Sequence, residues 1–256
     1  MNLSVCPYYF TENPREMIKF FETLGMVPAV TAGEGYAILK AKSGYLAVHN
    51  TLSSNFGLSG EAHLVLMVNR LEEFLKESES KCIDLQVWDE AWGRQAGIID
   101  PSGGGIWINE LEHDSYGYVF SESSQEPEDI EVVSVRYSRN FAEDRKFFET
   151  LGFVSAPGAS SFWEQMSASV NSGWIGLHQI YGDKAPVRVE PGNPVGGSVP
   201  LVSLSFQTCI PGENFLKKLR SAGYPAFILR DEIGERVCTT TPDGIKLEVH
   251  VSSSAR

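Results

Sequence analysis

The chain has 256 residues, 42% of them hydrophobic and 21% charged, with a net charge of −12. That length suits two ordinary domains, and that mixture a globular protein. No apolar run approaches the ~20 residues of a membrane helix, the opening MNLSVCPYYFTENPRE is no secretory signal, and no basic stripe offers nucleic acid a footing. These features predict a cytoplasmic protein, with Cys6, Cys82, Cys209 and Cys238 as free, mostly buried thiols. The acidity is uneven. Residues 1–120 carry 8 basic and 16 acidic side chains, 121–131 carry 5 acids and no base, and 132–256 carry 13 basic and 12 acidic. It reads either as a solubility device or as attraction for a cationic ligand.

In chain order, 3–11 reads as a strand. Asn13 then stands as an N-cap with Pro14 at the first helical position. Met17, Phe20, Phe21 and Leu24 follow at helical spacing, and Gly25 ends the helix Pro14–Leu24. Short strands follow near 27–32, 35–40 and 44–50. The same order then recurs: a strand at 63–68, a helix over Leu71–Ser80, and strands near 83–88, 95–99 and 105–110. Each block is a βαβββ unit, and its antiparallel strands leave a concave face that helices do not cover.

A second copy follows. KFFETLG stands at 19–25 and again at 146–152, Asn13 and Glu16 match Asn140 and Glu143, and DPSGGGIWINE aligns with TPDGIKLEVHV. A period this long signals duplication. The expected organisation is a domain over 1–115, an acidic linker over 116–129 and a second domain over 130–256. The extra residues of the second copy fall in 181–200, whose prolines and glycines predict an irregular loop.

These motifs resemble the glyoxalase/bleomycin-resistance/extradiol dioxygenase (vicinal oxygen chelate) superfamily. NPREMIKFFETLG looks like its opening helix. W-G, six residues and D-P-S-G look like its closing hairpin, repeated here as I-G, six residues and T-P-D-G. The resemblance implies an α+β fold of two tandem domains. Each would hold two βαβββ modules forming a half-open, mainly antiparallel β-barrel with helices outside. It also implies, for metal-dependent members, inward His, Glu or Gln ligands on the first, fourth, fifth and eighth strands, because a divalent ion needs N and O donors to polarise substrate oxygens. Here the first strand offers Cys6 or Val133, the fourth His49 or His178, the fifth His63 or Leu201/Val202, and the eighth Trp107 or Glu248.

The superfamily builds cavities within one copy or across two. Within copies neither set chelates well. Across copies, one cavity would collect Cys6, Tyr8, Tyr45, His49, Val202 and Glu248, and the other His63, Trp107, Asn109, Val133, Trp174 and His178. Tyr8, Tyr45 and Met67 read equally as core, and His49 and His178 as histidines hydrogen-bonded at strand ends. An inward Glu248 is costly to bury unpaired. Trp88, Trp92, Trp107, Trp163 and Trp174 suit a flat ligand, or plain packing. His113 lies beside the linker without a role.

The expected function is therefore metal-independent binding of a flat or aromatic compound, neutral or cationic, as in antibiotic sequestration, with no cofactor. The ligand-binding candidates are Tyr8, Tyr45, His49, His63, Trp107, Trp174, His178 and Glu248. The alternative is a lyase, isomerase or dioxygenase using Zn, Mn, Ni or Fe, with His49 and Glu248 as ligands. A fused pair supplies its own pseudo-dimer, so a monomer without nucleic-acid or membrane partners is expected.

Overall fold

A computed structural model describes residues 1–53, 57–90, 93–110, 117–121, 125–181, 187–189, 195 and 197–252. Trp92 and His113 lie outside them. Four modules follow one another. Module 1 is β1 (Leu3–Val5), β2 (Tyr8–Thr11), α1 (Pro14–Leu24), β3 (Val27–Ala32), β4 (Tyr36–Lys40) and β5 (Tyr45–Asn50). Module 2 is β6 (Ala62–His63), β7 (Val65–Val68), α2 (Leu71–Ser80), β8 (Gln86–Glu90), β9 (Gly93–Ile99) and β10 (Gly105–Glu110). After β11 (Val119–Phe120), module 3 is β12 (Glu131–Ser138), α3 (Phe141–Thr150), β13 (Val154–Ser155), β14 (Trp163–Ser167) and β15 (Trp174–Gln179). After β16 (Val187–Val189), module 4 is β17 (Ser198–Thr208), α4 (Gly212–Ser221), β18 (Ala226–Asp231), β19 (Gly234–Thr240) and β20 (Lys246–Val251).

In each module the last strand returns parallel to the first: β2 with β5, β7 with β10, β12 with β15, and β17 with β20. A parallel pair needs a long crossover, and the helix with its hairpins supplies it. Helix α1 buries Met17, Phe20, Phe21 and Leu24, and Gly25 ends it at φ +112°. Asn13 does not cap the helix with its side chain; it reaches Asp243 at 3.3 Å instead. The first strand is split at Cys6–Pro7, where proline removes a ladder donor. Its front part pairs with β7, its rear part with β5 and β6.

Modules meet through their first strands. β1 runs antiparallel to β7, and β12 to β17. Each half-barrel is therefore built from the two modules of one copy: modules 1 and 2 form half one, modules 3 and 4 form half two. This corrects the across-copy sorting of cavity residues. First strands of the same copy zip together, so Tyr8 faces His63 rather than Glu248.

The halves are joined about a pseudo-twofold axis. The Val5 N–H donates to the Ser172 carbonyl at 2.6 Å, and its counterpart Val132 donates to the Ser43 carbonyl at 2.9 Å. The turns approach so closely that a Cβ on Gly44 would meet the Gly173 Cα at 2.9 Å, and both glycines have positive φ. A second reciprocity uses the D-P-S-G and T-P-D-G turns. Asp100 of half one pairs with Arg136 on β12, both side chains fully buried. Asp243 of half two accepts the Tyr9 and Thr11 hydroxyls of β2 at 3.1 and 3.0 Å. Tyr9 and Arg136 occupy matching places in the repeat. Rings on α1 complete the seam, Phe20 against Tyr224 at 4.9 Å and Phe21 against Phe206 at 6.0 Å.

Three expectations change here. Segment 181–200 is not wholly irregular, because β16 forms a hairpin with Ser198–Pro200. Within 116–129, β11 pairs with β3 as an added edge strand. Of the cysteines, Cys6 and Cys238 are buried, while Cys82 and Cys209 are exposed. Among the described residues no helix is long and apolar enough to cross a membrane.

Candidate functional site

The concave face of half one is largely filled. Cys6, Val30, Ile38, Ala47 and Met67 form a small buried cluster, with Tyr8, Tyr36, Tyr45, Tyr118 and Phe120 packed against it. Tyr118 lies edge-on to Tyr36 at 5.8 Å, so the strand after module 2 caps this end of the cup. Burial pushes the Cys6 thiol and the Tyr8, Tyr36 and Tyr45 phenols up from their ordinary values. All four are therefore neutral at pH 7. The Tyr8 hydroxyl accepts the Asn109 amide N–H at 2.8 Å and lies 3.4 Å from the Tyr36 hydroxyl. Asn109 Oδ1 is buried without a hydrogen-bond partner, a cost unless water or a ligand meets it.

At the other end of the same cup a hollow remains. Tyr8, Phe10, His63, Val65, Trp107 and Val199 line it. Its space is about 230 Å³ including the part open to solvent, and what remains free for a water-sized occupant is about 10 Å³, roughly one water. Val199 comes from half two. Val195, also from half two, sits so close that a Cβ on Gly105 would meet its carbonyl oxygen at 2.0 Å.

The eight candidates separate as follows. Tyr8, His63 and Trp107 converge on this hollow. Tyr45 belongs to the packed cluster. His49 donates through Nδ1 to the Asn50 carbonyl at 3.0 Å, and burial pulls its pKa down. His178 repeats that contact with the Gln179 carbonyl at 2.9 Å, but it is exposed in half two. The Trp174 indole donates to Glu131 at 2.6 Å; Gln207 also donates to Glu131 and accepts from Gln165. Glu248 lies 3.3 Å from Arg236 Nε and 3.7 Å from His250 Nε2. The Glu248 side chain is 46% exposed rather than buried inward, and it pairs with a buried guanidinium. Burial, with help from the Arg236 charge, holds the His250 pKa below its ordinary value against the opposing pull of Glu248.

The residues do not fit a superfamily metal centre. In half one the Phe10 ring packs on both imidazoles, 5.7 Å from His49 and 4.6 Å from His63, and Trp107 replaces the closing ligand. In half two Val133 pairs beside Ser205 where two further donors would be needed. His49 and Glu248 lie in different half-barrels, so they cannot share an ion. Among the described residues no three His, Cys, Asp or Glu side chains gather to hold one.

Sequence reasoning missed Glu61, Arg188, Arg236 and Val199. Glu61 had a signal, since it stands two residues before His63 and shares its strand face. Arg188 and Val199 had none, because they reach half one from the insertion of half two.

No protein-family model and no characterised protein matches the chain in sequence. Solved structures do match in fold. The 2,3-dioxygenase LapB from Pseudomonas sp. KL28 aligns over 98% of this chain and 91% of its own, at 16% identity and a TM-score of 0.59. A catechol 2,3-dioxygenase aligns over 98% and 89%, at 10% identity and 0.55. An extradiol ring-cleaving dioxygenase from B.fuscum aligns over 98% and 71%, at 13% identity and 0.57. The chain thus shares the tandem paired-module α+β fold of these dioxygenase structures.

Proposed function

We propose that the protein binds a small planar compound in the hollow of half one without a metal ion. The observation that carries this reading is the convergence of Tyr8, Phe10, His63 and Trp107 on one hollow, while among the described residues neither half gathers a chelating set. Aromatic walls supply stacking area, and a few polar groups supply orientation. A net charge of −12 favours a neutral or cationic ligand over an anion. Sequestration of a toxic compound, an antibiotic among them, needs only affinity. We further propose a cytoplasmic monomer, since domains 1–115 and 130–256 provide both halves of the pseudo-dimer.

The shared fold with ring-cleaving dioxygenases favours a second reading, an enzyme acting on a small oxygenated substrate through a divalent metal near Glu248 and His250. A thermal-shift ligand screen, with and without added Zn, Mn, Ni or Fe, separates the two. Metal-independent stabilisation by flat compounds supports binding in half one. Elemental analysis of protein purified without chelators is the counterpart: a full equivalent of any of these metals would sink the metal-independent reading.

A further inference from the structure

His63 is held by a relay that crosses the two halves. Glu61 precedes β6 and shares a face with His63, which brings its Oε2 to 3.3 Å from the ring Nε2. The same carboxylate accepts the Leu58 N–H at 2.9 Å and lies 3.1 Å from Arg188 Nε on β16. Burial alone would raise the Glu61 carboxyl, but the bonds from His63 and Leu58 and the Arg188 charge outweigh it and hold it below the usual range. A carboxylate so ionised can only accept, so Nε2 carries the proton that faces it, and the tautomer this selects has Nδ1 as its acceptor. The ring is 5% exposed and lines the hollow, and Nδ1 has no hydrogen bond among the described residues. Asn109 Oδ1, behind Tyr8, is a buried acceptor without a partner.

We propose that the half-one hollow takes its planar ligand through a ring N–H or O–H donor. His63 Nδ1 accepts that donor, and Glu61 and Arg188 are positioning residues that hold the ring in the accepting tautomer. The inference rests on the hollow being the ligand site, and it adds the chemical class: a neutral aromatic donor rather than an acceptor or an anion. It also gives the insertion of half two a role, since Arg188 reaches half one from there.

Indole and benzofuran test this, because they have nearly the same shape and differ in N–H against O. Both are titrated by NMR into protein labelled with 15N in its histidine rings. The expected result is that indole binds roughly two- to tenfold more tightly, the worth of one hydrogen bond. Before ligand is added, the His63 resonances should show the Nε2–H tautomer. His63→Phe should abolish the preference. Glu61→Gln and Arg188→Met should shrink the preference and mix the tautomers without changing benzofuran affinity. Equal affinities in the wild type, an unchanged ratio in His63→Phe, or an Nδ1–H tautomer in the free protein would overturn the donor inference alone. Failure of both probes to bind would overturn it together with the hollow as the ligand site. The wild-type tautomer needs no variant, so a folding defect in His63→Phe leaves the proposal decidable.

Discussion

Replacing Asp100 by alanine should cost more stability than any other single change at the seam between the halves. The Arg136 guanidinium is fully buried, and Asp100 is its carboxylate partner in the D-P-S-G turn. Removing one partner of such a pair leaves an uncompensated buried charge, worth about 3–5 kcal/mol. The Ser102 and Gly104 amides, which donate to Asp100 at 2.9 and 2.8 Å, also lose their acceptor. One compensation exists: Asp144 is close enough for its carboxyl to feel the Arg136 charge, which draws the expectation toward about 3 kcal/mol. For a chain of this size that is a fall of roughly 6–12 °C in Tm. The pseudo-symmetric change, Asp243→Ala, removes an acceptor for hydroxyl and amide donors at a half-buried site and should cost about 1–2 kcal/mol. Circular dichroism melts and urea titrations of both variants measure the difference. The double variant Asp100→Ala/Arg136→Met should recover most of the loss, because the buried guanidinium is removed together with its partner. A fall below about 1 kcal/mol in Asp100→Ala, or a larger one in Asp243→Ala, would refute the view that the buried pair is the stronger clasp.

Three further outcomes follow from the same geometry. Gly105→Ala should destabilise by about 1–3 kcal/mol through overpacking against Val195, and Gly105→Ala/Val195→Gly should recover less than half, because the clash is with backbone as well as side chain; equilibrium unfolding checks both. His49 has a folded pKa below its ordinary value, so the unfolded state takes up the proton first, and its contribution to stability is lost as pH falls below about 6.5. His49→Gln should flatten the stability profile between pH 7 and 5, and a profile parallel to wild type would contradict this. Asp144 has a carboxyl raised chiefly by burial. Its folded state favours the proton, so stability falls as pH rises through the carboxylate range, and Asp144→Asn should raise Tm at pH 7 but not at pH 3.

Much of this fold was legible in the residues. Helices Pro14–Leu24 and Leu71–Ser80 follow from apolar spacing, and Gly25 from its helix-ending chemistry. The duplication is plain in KFFETLG. Module pairing was not legible, because strand parity fixes which side chains share a face but not which strand lies next door. That single ambiguity put Tyr8 with Glu248 and Trp107 with Trp174. The Asp100 and Asp243 turns were visible as hairpin signals, but their role as clasps depends on Arg136 and Tyr9 more than 35 residues away along the chain. A Glu248 that strand parity points inward called for a partner, and the sequence offered metal and arginine alike; only the cross-strand neighbour Arg236 decided between them.

The most direct test of the account is a crystal structure of the protein grown, in the presence of chelator, with the strongest compound from the ligand screen. The account predicts planar density in half one, stacked against Trp107 and touching His63, with half two empty. Density in half two against Glu248 and His250, or ligand binding that returns only when a divalent metal replaces the chelator, would contradict it.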